Sequence, residues 1–213
     1  DDMYCVFLGK AVQTVNPPNS SVGSSQVSAD LMTGQTALTS EPATTDELLI
    51  SDAGTLKRID YSLISNRPAF QAYLSSNQSI SDNSDTKINI NTESFDTDNC
   101  YDNSSNYRFT PTTAGKYLFY ANVVTSAGDD NNIAMDVKIY KNGSIGAELN
   151  YNAYVNSYAA TLSSSGSVIL EANGSSDYFE LYAKSNDFSG TPTAFGNSSY
   201  PKTYFGAYKL IGV

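Results

Sequence analysis

Histidine is absent from the 213-residue chain. Its absence excludes the Ser-His-Asp and Cys-His nucleophile systems, histidine general-base catalysis and most zinc sites. Cysteine is nearly absent as well, because Cys5 and Cys100 are the only two, and two cysteines cannot form a disulfide framework. A pair of free thiols and one long-range bridge are both open interpretations.

Positive charge is scarce. Twelve Lys and Arg residues are set against 22 Asp and Glu residues, which gives a net charge of −10 at pH 7. This balance opposes binding to nucleic acid and to anionic lipid, since basic surfaces attract polyanions. Apolar runs are short, and none reaches the about 18 residues of a membrane span, so we expect no membrane insertion. The chain begins at Asp1 without an initiator Met or a visible signal peptide, which suggests a processed or partial chain.

The second two-thirds of the chain has the rhythm of an all-β sandwich. From Ala69 onward, turn signals such as Asn142-Gly143, Ser165-Gly166 and Asn173-Gly174 recur about every ten residues. No segment predicts a helix of three turns. The predicted strands are 69–74, 87–91, 107–110, 116–124, 133–141, 151–158, 167–172, 177–184 and 203–211.

The first third predicts smaller β pieces. Residues 48–50 and 56–59 indicate two short strands joined by a tight turn at 52–54, and an apolar run at 3–8 indicates another strand. Pieces of this size need repetition or oligomerisation to be stable. We therefore predict two parts: a β-rich neck or shaft module at 1–66 and a sandwich head at 67–213.

Alternation along the head strands predicts which faces are covered. In 133–141 and 177–184 apolar residues alternate with charged ones, as in strands with one solvated face. The segments 116–124, 168–170 and 203–211 are apolar on both faces. We expect these three to form an inner sheet that meets other subunits, with cover by the neck module as the alternative. The candidate interface residues are Tyr117, Leu118, Phe119, Tyr120, Tyr204, Phe205 and Tyr208.

An ordered set of short motifs runs through the head. The motifs are Phe95-Asp96, Tyr101-Asp102, Phe109-Thr110-Pro111, Gly115-Lys116-Tyr117-Leu118-Phe119, Lys141-Asn142-Gly143 and Tyr204-Phe205-Gly206-Ala207-Tyr208. In order and spacing they resemble the globular head of complement C1q, within the wider tumour-necrosis-factor-like (TNF-like) jelly rolls. The resemblance covers about residues 68–211. It implies a jelly roll of about ten strands and a tight homotrimer with the two-faced strands at its axis.

The segments before the head point to a different kind of protein. Residues 6–18 and 41–58 are similar to segments common in tail-fibre and other virion-fibre proteins of tailed bacteriophages. Animal C1q heads instead follow a collagen stalk, and no Gly-X-Y repeat is present here. The head thus resembles C1q, whereas the neck resembles a phage fibre.

Chain parity predicts where a receptor would bind. Successive loops of an antiparallel jelly roll alternate between two poles, and we expect the neck and the C-terminus to share one pole. The loops predicted at the opposite, distal pole are 97–104, 125–131, 162–166 and 185–202, and the turns predicted at the neck pole are 110–114, 142–150 and 173–176. The distal loops mix hydrogen-bonding groups with aromatic rings, as sugar sites and long surface loops both do. The candidate receptor-binding residues are Asp98, Tyr101, Asp129, Asp130, Asn131, Asn186, Asp187, Phe188, Phe195, Asn197 and Tyr200.

No cofactor or metal site is assigned, although two groups of carboxylates offer oxygens to calcium. These are Asp129 with Asp130, and Asp96 with Asp98 and Asp102. Calcium prefers clustered oxygens, but the spacing of the second group is not that of a calcium loop. A solvated acidic loop is the simpler interpretation.

Together these features predict a virion structural protein and not an enzyme. It would be a trimeric fibre at the virion surface, on a phage tail or elsewhere, joined to other virion proteins on its N-terminal side. Its head would bind a host cell-surface glycan or protein during attachment. A secreted C1q-like lectin or ligand is one alternative. A polysaccharide depolymerase is another, although Asp129 and Asp130 are adjacent in sequence, which does not place them across a glycosidic bond.

Overall fold

A computed structural model describes residues 18, 21–23, 26–126, 132–153, 161–187 and 191–212, with only the backbone described at 132, 133 and 187. The chain divides into two compact units, Asp1–Ala43 and Thr44–Val213. The described part of the first unit contains one short helix, α1 (Asp30–Thr33), whose residues are all exposed. The predicted strand at 3–8 lies outside the described residues. The predicted boundary at 66 falls inside the second unit, and the role of 1–66 as a neck module stays a prediction.

The second unit begins with an exposed antiparallel hairpin of β1 (Glu47–Asp52) and β2 (Thr55–Asp60). Ala53 and Gly54 both have positive φ values, 48° and 83°, as a type I′ turn requires. This turn follows the right-handed twist of the two strands, so the predicted hairpin is confirmed. A single 3₁₀ turn, Tyr61–Leu63, leads from the hairpin toward the sandwich.

Two sheets form the sandwich. The inner sheet contains β3 (Ala69–Tyr73), β4 (Gln78–Ser79), β6 (Thr92–Asp96), β9 (Gly115–Ser126), β12 (Thr161–Ala172), β14 (Thr193–Ala194) and β15 (Tyr204–Lys209). The outer sheet contains β5 (Thr86–Lys87), β7 (Tyr101–Asp102), β8 (Arg108–Phe109), β10 (Asn132–Lys141), β11 (Ser144–Ala153) and β13 (Phe179–Asp187). Every pairing between these strands is antiparallel.

The chain passes repeatedly between the two sheets. From β9 in the inner sheet it crosses to β10 and β11, returns to β12, crosses again to β13 and returns to β14 and β15. This is jelly-roll connectivity, so the all-β jelly-roll sandwich predicted from the sequence is confirmed. The strands that are apolar on both faces do share the inner sheet, because β12 and β15 flank β9. The alternating strands β10 and β13 pair in the outer sheet, as expected.

Aromatic side chains fill the space between the sheets. Phe70 stacks on Tyr101 and on Phe109, with ring centroids 4.5 and 4.6 Å apart. Phe119 of the inner sheet meets Phe179 of the outer sheet at 4.4 Å. Pairs of this kind contribute about 0.5–1.5 kcal/mol beyond the burial of their area. They join both sheets into one core.

Cys100 is a free and buried thiol near the core. Its sulfur lies 3.7 Å from the Thr112 hydroxyl oxygen, and burial raises the pKa of the thiol. Cys5 lies outside the described residues. No helix among the described residues is long and apolar enough to cross a membrane.

Two segments predicted as connections are strands. Residues 162–166 lie within β12 and pair with β9 residue by residue. Ser164 there is buried and donates to the Asn150 carbonyl at 3.4 Å. Residues 144–150 belong to β11, because the reversal after β10 needs only Asn142 and Gly143, both with positive φ. Serine- and asparagine-rich strands have the composition of loops, which explains both errors.

Other predicted strands differ in extent. Of 87–91, only Lys87 is in a strand, and the buried Ile88 and Ile90 carry the chain from the outer sheet to the inner sheet. Of 151–158, residues up to Ala153 belong to β11, and the rest lie outside the described residues.

Strand register defines the two ends of the sandwich. Tyr208 pairs with Ala69, and the Lys209 amide donates to the Asn66 carbonyl at 3.3 Å. The chain therefore enters and leaves the sandwich at one end, the neck pole, as predicted. β9 runs from Gly115 at the neck pole to Ser126 at the opposite end, the distal pole.

Candidate functional site

The outward side of the inner sheet, called the open face below, is rich in tyrosine. Strand register arranges its side chains in three rows. The rows are Ala69, Tyr208, Leu118 and Ile169; then Gln71, Gly206, Tyr120 and Ser167; then Tyr73, Tyr204, Asn122 and Ser165. None of these twelve residues is charged. The four tyrosines are only partly buried, and Ile169 is 53% exposed.

Gly206 shapes the middle row of the open face. A Cβ atom at this position would lie 2.3 Å from the Tyr120 ring, so only glycine lets that ring lie across β15. The Tyr120 hydroxyl then donates to the Gln71 side-chain oxygen at 3.1 Å, two strands away. Burial raises the pKa of Tyr120, and the neighbouring Tyr204 and Tyr208 raise it further. The Tyr120 hydroxyl therefore stays uncharged at physiological pH.

The seven residues predicted for a subunit interface divide between the two sides of the sheet. Leu118, Tyr120, Tyr204 and Tyr208 lie on the open face. The other three are fully buried inside the sandwich, so their assignment to an interface is wrong: Tyr117, Phe119 and Phe205. Both sides of these strands are apolar in sequence, and alternation alone does not say which side faces the core.

The segment after β13 lies at the distal pole, as predicted, because β14 pairs with the last residues of β9. The Lys202 ammonium lies 4.1 Å from the centroid of the Phe195 ring, a cation–π contact. The Asn197 side-chain oxygen accepts from the Ser199 and Tyr200 amides at 2.8 and 3.1 Å, which closes a turn. Tyr200 is 55% exposed, more than Phe195, which is the other aromatic candidate described in this segment.

The remaining candidates are placed unevenly. Asn186 lies near the distal end of the outer sheet, in a shallow depression that also involves Asp136, Lys184 and Tyr151. Five candidates lie wholly or by their side chains outside the described residues: Asp129, Asp130, Asn131, Asp187 and Phe188.

Asp98 and Tyr101 lie at the neck pole, so the prediction of a distal 97–104 loop is wrong. Asp98 forms an ion pair with Arg67 at 3.3 Å, close to where the chain enters the sandwich. Tyr101 is buried against Phe70, and its hydroxyl donates to the Ile90 carbonyl at 2.9 Å. The error arises because β8 is only two residues long. The hairpin of β7 and β8 therefore stays close to the neck pole, whereas a full-length β8 would have come from the distal pole.

Two of the carboxylates considered for calcium, Asp96 and Asp102, stabilise turns. The Asp96 side chain accepts from the Tyr101 amide at 2.8 Å. The Ser105 and Ser104 amides donate to Asp102 at 2.9 and 3.0 Å and hold the pKa of that carboxyl well below its usual range. Among the described residues, no group of three side chains could hold a metal ion.

The sequence did not predict a charged network on the outward side of the outer sheet. The Lys138 ammonium lies 2.7 Å from Asp85 and 3.0 Å from Asp136, and Lys138 and Asp136 are both buried. Tyr140 donates to Asp85 at 2.7 Å, and burial together with this bond raises the pKa of Tyr140 to about 12. The partners are 53 and 55 residues apart in sequence, so no local pattern signals them.

Comparisons with known proteins give similar structures but no related family. No protein-family model and no curated protein matches the chain. Among solved structures, it is similar to the globular domain of zebrafish complement 1qA protein (14% identity, TM-score 0.44, covering 69% of this chain and 98% of that chain). It is also similar to murine APRIL (15%, 0.44, 67% and 98%) and to Eiger TNF from S. frugiperda (13%, 0.44, 69% and 96%). The three include a complement 1q globular domain and a TNF, the kinds of protein that the motifs of the head resemble.

Proposed function

We propose that the protein is a homotrimeric virion fibre whose head attaches to a receptor on the host cell surface. The observation that carries the proposal is the open face. Seven of the twelve residues in its three rows are tyrosine or aliphatic and none is charged, and a contiguous surface of this kind favours a protein–protein interface. A second and third copy of the same chain are the occupants that the C1q-like order of sequence motifs favours.

The position of the chain ends supports a fibre. Residues 66–69 and Lys209 meet at the neck pole. In three parallel copies, all the N-terminal segments would therefore leave at one end, and all the distal poles would be exposed at the other. The β1–β2 hairpin exposes aliphatic side chains on both of its sides: Leu49 and Leu56, which are 70% and 67% exposed, on one, and Leu48 and Ile50 on the other. An isolated two-stranded hairpin is marginal in water, and packing against its copies in a trimer would cover these side chains.

The distal pole is the surface we assign to the receptor. It carries Tyr200 and the Phe195–Lys202 pair at the end away from the neck. Three identical heads on one fibre would add avidity to weak individual contacts, provided that their geometry lets them bind together. The similarity of residues 6–18 and 41–58 to phage fibres supports the virion setting.

The first test is the solution mass of the full chain by sedimentation equilibrium. We expect three times the 22.9 kDa of one chain. A single-chain mass at micromolar concentration would contradict the trimer and leave the open face without its proposed partner.

The second test concerns the receptor. Labelled protein would be applied to a panel of bacteria, and the double variant Phe195→Ala with Tyr200→Ala compared with wild type. We expect unchanged mass and lost binding to any strain that the wild type recognises. Binding that survives the double substitution would place the receptor site elsewhere.

A further inference from the structure

A polar cleft opens at the side of the sandwich, near the distal pole, between residues 74–78, 89–91 and Tyr107. Its volume is about 230 Å³. Four carboxamide side chains and one aromatic ring dominate its lining, and no lining residue is charged: Asn77, Gln78, Asn89, Asn91 and Tyr107. All of these residues lie outside the open face and outside the loops considered for the receptor.

Hydrogen bonds to the backbone fix three of the four carboxamides. The Asn91 side-chain oxygen accepts from the Ser75 amide and hydroxyl at 3.0 and 3.1 Å. The Asn77 oxygen accepts from the Gly196 amide at 3.0 Å. Gln78 donates to the Lys87 carbonyl at 2.7 Å and accepts from the Asn89 amide at 2.8 Å. The planes of these groups are therefore set before any ligand arrives.

The same bonds leave donors unused. Within the described part of the chain, no residue accepts a hydrogen bond from the side-chain nitrogen of Asn77 or Asn91, and the Asn89 side chain forms none. Rigid amides with spare N–H groups are well suited to ligands whose hydroxyls accept as well as donate.

Tyr107 has an unusual backbone. Its φ is +48°, a strained conformation for a bulky side chain that occurs mostly at glycine, asparagine and aspartate. Its ring is partly exposed, and its hydroxyl forms no hydrogen bond to the described residues. A residue held in a strained conformation with its ring beside a cleft indicates a position set by function more than by folding.

We propose that this cleft binds one ring of a neutral sugar. The absence of charge in the lining disfavours anions and cations, and the predominance of carboxamides disfavours apolar ligands. The volume is below the about 300–1,000 Å³ of drug-sized pockets, so the cleft takes one ring and not an oligosaccharide. Amide N–H groups would hold hydroxyls, and the Tyr107 ring would cover the C–H side of the sugar.

The proposal rests on the attachment function only for the source of the sugar. If the protein attaches to host cells, the ring belongs to a surface glycan. Binding of free monosaccharides needs neither a host nor a trimer, so a failed cell-binding experiment and a failed sugar titration overturn different statements.

The test is a titration of the full ¹⁵N-labelled protein with glucose, galactose, mannose and N-acetylglucosamine, followed by amide NMR. Concentrations would reach about 50 mM, well above the about 1 mM dissociation constant of a weak single site. We expect at least one of these sugars to shift the side-chain NH₂ signals of Asn77, Asn89 and Asn91, and glucuronate to shift them far less. No shift with any neutral sugar would overturn the proposal. Shifts confined to other residues, or equal shifts with glucuronate, would also overturn it.

Two variants separate binding from folding. Tyr107→Gly removes the ring and relieves the positive φ, so we expect an unchanged or higher unfolding midpoint and at least about tenfold weaker binding. Asn89→Ala should weaken binding about three- to tenfold, because its exposed side chain supports no other contact. Asn66→Ala, at the neck pole, is the matched control and should bind as wild type. Wild-type affinity in the Tyr107→Gly variant would contradict the role of the cleft.

Discussion

The outward sides of the two sheets satisfy their polar groups in opposite ways. On the outer sheet, the Lys138 ammonium pairs with both Asp85 and Asp136, and Tyr140 donates to Asp85. Lys87 and Glu180 form a second pair at 2.5 Å. Each charge in these two groups has a partner of opposite sign within one chain, although one buried oxygen of Asp136 accepts no hydrogen bond from the described residues.

The open face of the inner sheet has no comparable ion pairs in its three rows. Its rows hold no charge, and its tyrosine hydroxyls and aliphatic side chains are only partly covered. The two sheets of the sandwich thus differ in how far the chain itself pairs or covers their outward side chains. The charged groups of the outer sheet are paired within one chain, whereas the open face keeps apolar area that the proposed subunit contact would remove from water.

The largest expected loss in the free energy of unfolding comes from a substitution on the buried side of the inner sheet. Phe119→Ala should lower the free energy of unfolding by about 3–5 kcal/mol, because Phe119 is fully buried against Phe179 and Phe205. Urea denaturation at fixed protein concentration would measure this loss. Phe95→Ala is the control: Phe95 is 46% exposed at the sheet edge, and its removal should cost less than about 1 kcal/mol. Equal losses in the two variants would contradict the assignment of core and outward sides.

The next effect concerns the open face itself. Tyr208→Glu places a charge beside Leu118 without entering the core, so the chain should fold but not associate. Sedimentation would show the mass of one chain, and circular dichroism would show an unchanged sheet signal. Ile145→Glu, on the exposed strand β11 of the outer sheet, should leave the assembly intact. A Tyr208→Glu variant that keeps the wild-type mass would contradict the proposed interface.

The sequence was sufficient for those parts of the fold that local patterns determine. Alternation of apolar and charged residues identified β10 and β13, and paired turn residues identified the reversals at 53–54 and 142–143. Double-sided apolarity identified the strands that share the inner sheet. Each of these signals depends on neighbours along the chain.

What the sequence could not provide depends on contacts between distant segments. The strand β8 is only two residues long and reverses the chain early. The assumed alternation of loops between the two poles therefore fails for the loop before it, and Asp98 was assigned to the wrong pole. The serines of β12 form a strand only because β9 offers a full-length partner. The amide cleft joins segment 74–78 to Tyr107 across the edge of the sandwich, and no spacing within either segment predicts their meeting.

The outer-sheet network should respond to the loss of its one buried cation. Lys138→Met leaves Asp85 and Asp136 facing each other without compensation, so the free energy of unfolding should fall by about 3 kcal/mol. Lys57→Met is the control, since Lys57 pairs with Asp52 in the exposed hairpin and should contribute at most about 1 kcal/mol. Oligomer mass should not change in either variant. A smaller loss for Lys138 than for Lys57 would show that the network is not what stabilises this side.

The smallest expected effect is the pH dependence of the stability that Asp85 contributes on the outer sheet. Burial alone would raise the pKa of Asp85, but hydrogen bonds from Lys138 and Tyr140 outweigh it and hold the pKa below 3.8. The Asp85 carboxylate therefore stabilises the fold fully when the pH is above the pKa of Asp85 in the unfolded chain. This contribution disappears as the pH falls through the lower pKa of Asp85 in the folded chain. Asp85→Asn should cost about 1 kcal/mol at pH 6, and the difference from wild type should shrink below pH 3.8.

The open face offers the contrast for this titration, because its three rows contain no carboxylate to protonate. As long as the chain remains folded, its mass should stay constant between pH 6 and the acid at which unfolding begins, in wild type and in Asp85→Asn alike. Urea denaturation and sedimentation on the same samples would measure both quantities. A difference between wild type and Asp85→Asn that persists unchanged below the folded-state pKa would mean that shape, and not charge, accounts for the role of Asp85. A mass that falls before the chain unfolds would instead show that titrating groups outside the three rows take part in the interface.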